Sequence, residues 1–197
     1  MTYVIIALIA YLLGSITGSY IVSMLAFDED IRTKGSGNAG TTNMLRTYGL
    51  VPAIITLAID ILKGYLAVFI ASKFNVPYAT YIAGVMVVVG HCWPIFLGFK
   101  GGKGMATSSG VMLFHVPVLI ATALVLFIVI NLIGKIMSLT SLILVLYSLI
   151  FVLIFRTNET YLLIMTFILA VIVFYSHRSN IKRLIEGKEN KITIKKG

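Results

Sequence analysis

The chain has one cysteine, Cys92, so it cannot form an internal disulfide, and a reducing face suits it. The plainer role for that thiol is a small apolar packing group. There is no H-E-x-x-H, no cluster of Cys and His at metal-ligand spacing and no G-x-S-x-G elbow. Those absences exclude the common zinc centres and the α/β-hydrolase arrangement. Residues 1–26 lack the basic n-region and the small-x-small cleavage site of a signal peptide, so they read as a retained helix. Most basic residues sit in short loops and the tail and not on a soluble face, which argues against nucleic acid as a partner.

What is present is apolar. Of 197 residues, 59% are hydrophobic, and the mean hydropathy is +1.01, far above a soluble domain. The chain is expected to be a single transmembrane domain over 1–197, with 187–197 as a basic tail. Apolar runs cover about 2–27, 51–72, 79–96, 106–133, 136–155 and 161–175, most near the ~20 residues needed to cross a bilayer. Gly14 and Gly18 form a G-x-x-x-G pair suited to close helix packing. Asp60 and Lys63, at i and i+3 inside an apolar run, can pair on one helix face and should point to the protein interior. A structural pair and a site role are about equally supported. His115 reads as a packing histidine.

Two glycine-rich stretches carry the chemistry. The first is Gly35-Ser36-Gly37-Asn38-Ala39-Gly40-Thr41-Thr42-Asn43, with Arg46 one turn on. Its G-x-G-x-x-G spacing, with Asp60 twenty residues after Gly40, imitates a dinucleotide fingerprint. That fingerprint must follow a β-strand, whereas this stretch follows an acidic loop. What remains is a flexible backbone dense in hydroxyls and amides, suited to an oxyanion. The second stretch runs from Gly90-His91 through Pro94 to Phe99-Lys100-Gly101-Gly102-Lys103-Gly104. It is not a nucleotide P-loop, because Gly104 follows the lysine and Leu97 stands where the first glycine belongs. Glycines that let N–H groups converge, with Lys100 and Lys103 beside them, suggest a phosphate cradle at a membrane face.

The positive-inside rule puts the loops at 28–49 and 98–107 and the tail in the cytoplasm, and the N-terminus outside. That arrangement needs an odd number of crossings, and six runs fail it. Five full crossings plus two short or partial helices, seven in all, would restore the parity; Thr41–Tyr48 is one candidate short helix. Gly35–Arg46, His91–Thr107 and His177–Asn180 then share one face. Phosphorylated substrates, at least one with a lipid tail, fit that face. A transporter is the competing class, but neither glycine loop is repeated in a second half.

These motifs, together with Asp60-x-x-Lys63-Gly64 and His177-Arg178-x-Asn180-Ile181, closely resemble the bacterial acyl-phosphate:glycerol-3-phosphate acyltransferase family, the PlsY type. The resemblance implies an all-α polytopic enzyme of the cytoplasmic membrane, with its site facing the cytoplasm. It would transfer a fatty acyl group from acyl phosphate to the 1-hydroxyl of glycerol 3-phosphate, as the first step of phospholipid synthesis. It implies no metal or cofactor and no partner beyond the two substrates and the bilayer; a monomer is expected. Ser36, Arg46, Lys103, His177 and Asn180 are the candidate catalytic residues. Asn38, Thr41, Asn43, Lys63, His91, Lys100, Gly101, Gly102, Gly104 and Ser141 are the candidate substrate-binding residues. His91, His177 and the substrate's own phosphate remain alternatives for accepting the hydroxyl proton.

Overall fold

A computed structural model describes residues 1–191; the remainder of the tail, 192–197, lies outside the described residues. Every regular element among them is helical. The helices are α1 (Thr2–Ser15), α2 (Gly18–Phe27), α3 (Thr41–Tyr48), α4 (Leu50–Ser72) and α5 (Ala79–Cys92), followed by α6 (Met105–His115), α7 (Pro117–Gly134), α8 (Met137–Phe155), α9 (Thr160–Ser176) and α10 (Arg178–Ile185). Short 3-10 turns occupy Ile31–Thr33 and Ile95–Leu97. Five segments are long and apolar enough to cross a membrane: Thr2–Phe27, Leu50–Ser72, Ala79–Leu97, Pro117–Gly134 and Met137–Phe155.

The runs are broken more finely than their hydropathy alone indicates. The first pauses at Ile16–Thr17, and the 106–133 run is two helices. Proline explains the second break: Pro117 starts α7 at a position where a helix needs no N–H, and the preceding Val116 is pushed out of helical geometry (φ −143°, ψ 74°). The α6–α7 turn adds a reversal of chain direction that the six apolar runs did not contain. The eleven-residue α6 and seventeen-residue α9 are the two shorter members beside the five long spans. As expected, Thr41–Tyr48 is a separate short helix.

The elements gather at two ends. At one end, here the site end, Phe27 stacks on Tyr48 at 4.0 Å and Arg32 donates to the Leu97 carbonyl at 2.8 Å. At the far end, Tyr78 meets Tyr161 and Tyr81 stacks on His115 at 5.1 Å, joining the α4–α5 turn to the end of α6 and the start of α9. His115 is thus a packing histidine remote from the glycine loops, although its buried Nε2 has no side-chain or backbone partner at hydrogen-bond distance.

Lipid tails are as apolar as the side chains, so close contact holds such helices together more than water exclusion does. Glycines provide it. A Cβ on Gly14 would fall 2.1 Å from the Val87 carbonyl oxygen, one on Gly90 2.2 Å from that of Tyr11, and one on Gly64 2.3 Å from that of Thr107. α1 therefore lies backbone against backbone on α5, and α4 on α6. By contrast, α7 buries only Leu119 and touches the bundle through α6 and α8.

Candidate active site

The polar segment after α2 folds by pairing its own charges. Asp30 accepts from the Arg32 backbone and forks its guanidinium, Lys34 pairs with Glu29 at 2.7 Å, and Glu29 accepts from Tyr48 at 2.6 Å. Asn43 anchors the next turn. Its Oδ1 accepts from Ser36 N–H at 2.9 Å, and its Nδ2 donates to the carbonyls of Ile31 and Lys34. The Asn43 side chain is therefore committed to shaping the loop. Gly35 and Gly37 take positive φ (+56° and +71°), which only glycine adopts cheaply.

The lysine loop is held from below. Asp60 and Lys63 pair at 2.8 Å, both buried, and Lys63 also donates to Ile16 O at 2.7 Å and contacts His91 Nδ1 at 2.8 Å. An ammonium can only donate, so Nδ1 accepts and the ring proton sits on Nε2. Above the ring, Gly101 and Gly102 N–H donate to the carbonyls of Cys92 and His91. A Cβ on Gly102 would come 2.1 Å from His91 Nε2, and one on Gly101 2.1 Å from His91 O. Neither glycine has positive φ, so lack of space, and not backbone freedom, demands glycine there. Asn38 Nδ2 donates to Gly101 O at 3.2 Å, tying the two loops together.

Between them opens a cavity of about 380 Å³. Its polar wall includes Ser36, Asn38, Thr41, Thr42, Asn43, Arg46, His91, Lys103, Gly104, Ser138, Ser141, His177, Asn180, Arg183 and Glu189. Stretches far apart in sequence thus meet in one place, as expected. Lys63, Gly101 and Gly102 act from behind the wall, and Lys100 is exposed outside it. The cavity continues between α6, α7, α8 and α9 along Met112, Leu124, Phe127, Leu144, Leu169 and Val173, a largely apolar arm that also has Ser148 and Thr166 on its wall.

Four helices begin at the polar end, α3, α6, α8 and α10. Gly40 caps α3 and Gly104 caps α6, neither with a side-chain cap, and Gly40, Thr41, Thr42, Gly104, Met105 and Ala106 all line the cavity. Their first-turn N–H groups and dipole ends favour anions. Thr41 Oγ1, Arg46 Nε and Ser108 Oγ are buried in the same wall without a partner. Lys103 Nζ donates to Asn180 Oδ1 at 2.6 Å. Burial pushes its ammonium down to about 8, against the pull of Glu189. His177 Nδ1 lies 2.8 Å from Val173 O, which fixes the proton on Nδ1 and leaves Nε2 with a lone pair. Ser141 spends its hydroxyl proton on Met137 O but lines the cavity.

Sequence reasoning missed Ser108, Arg183 and Glu189 of the wall. Ser108 gave no signal inside its apolar run, and Ser138 was one of three hydroxyls at a helix start, with Thr140 and Ser141, of which one was expected to reach a ligand. Arg183 lies on α10, whose i, i+3 spacing from Asn180 puts the two on one face. Glu189 was hidden in a stretch dominated by basic residues. Burial works against its carboxylate, but hydrogen bonds from Asn180, Arg183 and Ser138 outweigh it, so its pKa lies below the ordinary value. Among the described residues no group of three His, Cys, Asp or Glu is arranged to hold a metal.

Comparison with known proteins points the same way. A family profile described as "Glycerol-3-phosphate acyltransferase" matches residues 4–187. A glycerol-3-phosphate acyltransferase of Clostridioides difficile (strain 630) is 45% identical over 201 residues, covering 99% of this chain and 98% of that protein. The crystal structure of PlsY (YgiH), an integral membrane glycerol 3-phosphate acyltransferase, superposes in its glycerol 3-phosphate form with a TM-score of 0.91. The two share 32% identity, over 98% of this chain and 96% of that one. The lysophosphatidic acid form gives a TM-score of 0.89 at 31% identity, over 98% and 97%.

Proposed function

Because the chain belongs to the glycerol-3-phosphate acyltransferase family, we propose that its acyl donor is acyl phosphate and that its product is 1-acyl-glycerol 3-phosphate, released with inorganic phosphate. The observation that carries this reading is one cavity that joins uncapped helix N-termini, Lys103 and Arg46 at its polar end to an apolar arm. Glycerol 3-phosphate brings one phosphate. A donor with a second phosphate at the scissile bond would use the cationic and N–H donors that one phosphate leaves free, and its fatty chain fits the arm. A thioester brings no phosphate to that bond. The solved relative in its glycerol 3-phosphate and lysophosphatidic acid forms supports the acceptor and the product.

In this reading Lys103 and Gly104 hold the glycerol phosphate, steadied by Asn180. Ser36, Asn38, Thr41 and Arg46 hold the acyl phosphate and the oxyanion that develops on its carbonyl. The 1-hydroxyl oxygen bonds to the acyl carbon as the C–O bond to phosphate breaks, and the hydroxyl proton passes to the departing phosphate. His91 is a poor base here, since Lys63 occupies its only lone pair. His177 has its Nε2 lone pair and orients the hydroxyl. The described lysines and arginines lie at the site end or on the tail, apart from interior Lys63 and far-end Lys73 and Arg156. The positive-inside rule therefore supports a cytoplasmic site in the bacterial inner membrane and an external N-terminus.

The test is an assay of purified protein with glycerol 3-phosphate and either palmitoyl phosphate or palmitoyl-CoA, following inorganic phosphate and lysophosphatidic acid. Equimolar phosphate and product from palmitoyl phosphate alone is expected. Turnover of palmitoyl-CoA at a comparable rate would overturn the donor assignment.

A further inference from the structure

The cavity's cationic wall already holds an anion, supplied by the chain. After α10 the tail turns back, and the Glu189 side chain, only 3% exposed, enters the polar end. Its Oε1 accepts from Asn180 Nδ2 at 2.7 Å and from Ser138 Oγ at 3.0 Å, while Oε2 accepts from Arg183 Nε at 2.7 Å. Next to it, Arg46 Nη2 donates to the Asn190 carbonyl at 3.2 Å. Asn180 in turn holds Lys103. A carboxylate that collects an amide, a hydroxyl and a guanidinium makes the contacts a phosphate oxygen would make at that place.

We propose that Glu189 is a resident stand-in for a substrate phosphate: Ser138, Asn180 and Arg183 form an oxyanion subsite that a phosphate monoester occupies only after the tail carboxylate has left. This rests on the reading of the cavity as a site for phosphorylated substrates. A carboxylate and a dianion cannot share these donors, because the donors are too few for both and like charges at such distances repel. The tail therefore competes with substrate as a tethered anion, and the apparent affinity for phosphate is reduced by the fraction of molecules with the subsite open. Glu189 lies just beyond residue 187, where the family profile ends.

The experiment compares wild type, Glu189→Gln and a chain ending at Gly187, each purified intact in the same lipid nanodiscs. Calorimetry with inorganic phosphate is the first readout. Both variants are expected to bind phosphate about tenfold more tightly than wild type, the change that follows if roughly one molecule in ten is open at rest. KM for glycerol 3-phosphate should fall with it. Unchanged or weaker phosphate binding in Glu189→Gln, which folds with the tail intact, would overturn the proposal. So would a fall in kcat with phosphate affinity unaltered, since the carboxylate would then be steadying Asn180 for catalysis. Tighter phosphate binding combined with no acyl transfer from palmitoyl phosphate would uphold the stand-in and reject only the donor assignment.

Discussion

Two clusters of ionisable groups flank the cavity, and they differ in whether their charges are paired with an opposite one among the described residues. Asp60, Lys63 and His91 form a closed set: the carboxylate faces the ammonium, and the ammonium also reaches Ile16 O and the His91 ring. Lys103, Arg46, Thr41 and Ser108 form an open set, with hydrogen-bonding atoms left over and two bare helix N-termini beside them. Buried charge is costly wherever it sits in such a protein. The closed set offsets that cost internally and carries the loop above it. The open set is left unsatisfied, which is what a ligand site requires. A histidine in each cluster makes the contrast concrete. His91 has its acceptor nitrogen occupied, while His177 keeps one available.

The contrast can be broken most severely from the closed side. Asp60→Asn leaves the Lys63 ammonium without its counter-charge and should cost about 3–5 kcal/mol of stability, read as thermal unfolding in detergent. Asp60→Asn combined with Lys63→Met should recover most of the loss. A single variant as stable as wild type would mean the cluster is not structural.

On the open side, Lys103→Ala should lower kcat/KM for glycerol 3-phosphate by about a hundredfold, chiefly through KM, with little change in unfolding temperature. A matching loss of stability would erase the distinction between the clusters. Gly102→Ala joins the two, since its Cβ would strike the His91 ring. A loss of about 1–3 kcal/mol from overpacking should appear as reduced activity together with a modest drop in stability.

The smallest effect is in pH. Lys103 is an ammonium below about 8 and loses charge above it. KM for glycerol 3-phosphate should therefore be flat at lower pH and rise by up to about tenfold per unit above that point. Lys103→Arg should remove the rise, because a guanidinium stays charged.

The two clusters were unequally legible in the sequence. The i, i+3 spacing of Asp60 and Lys63 foretold their pairing, and basic loops with glycine motifs foretold that distant stretches would meet. His91's part in the pair was not legible, because it arises from a contact between helices twenty-eight residues apart. Spacing likewise could not reveal that Gly101 and Gly102 are required by steric room beneath the loop. The α6–α7 break was legible in Pro117 but masked by an unbroken apolar run. Glu189 escaped because overall charge says nothing about which single carboxylate turns inward.

The central claim is that the open cluster binds phosphate and the closed one supports it. Equilibrium binding of glycerol 3-phosphate to Lys103→Ala, set beside the same variant's unfolding temperature, tests this most directly. The account predicts affinity weakened by about tenfold or more with unfolding unchanged. Wild-type affinity in that variant would contradict it.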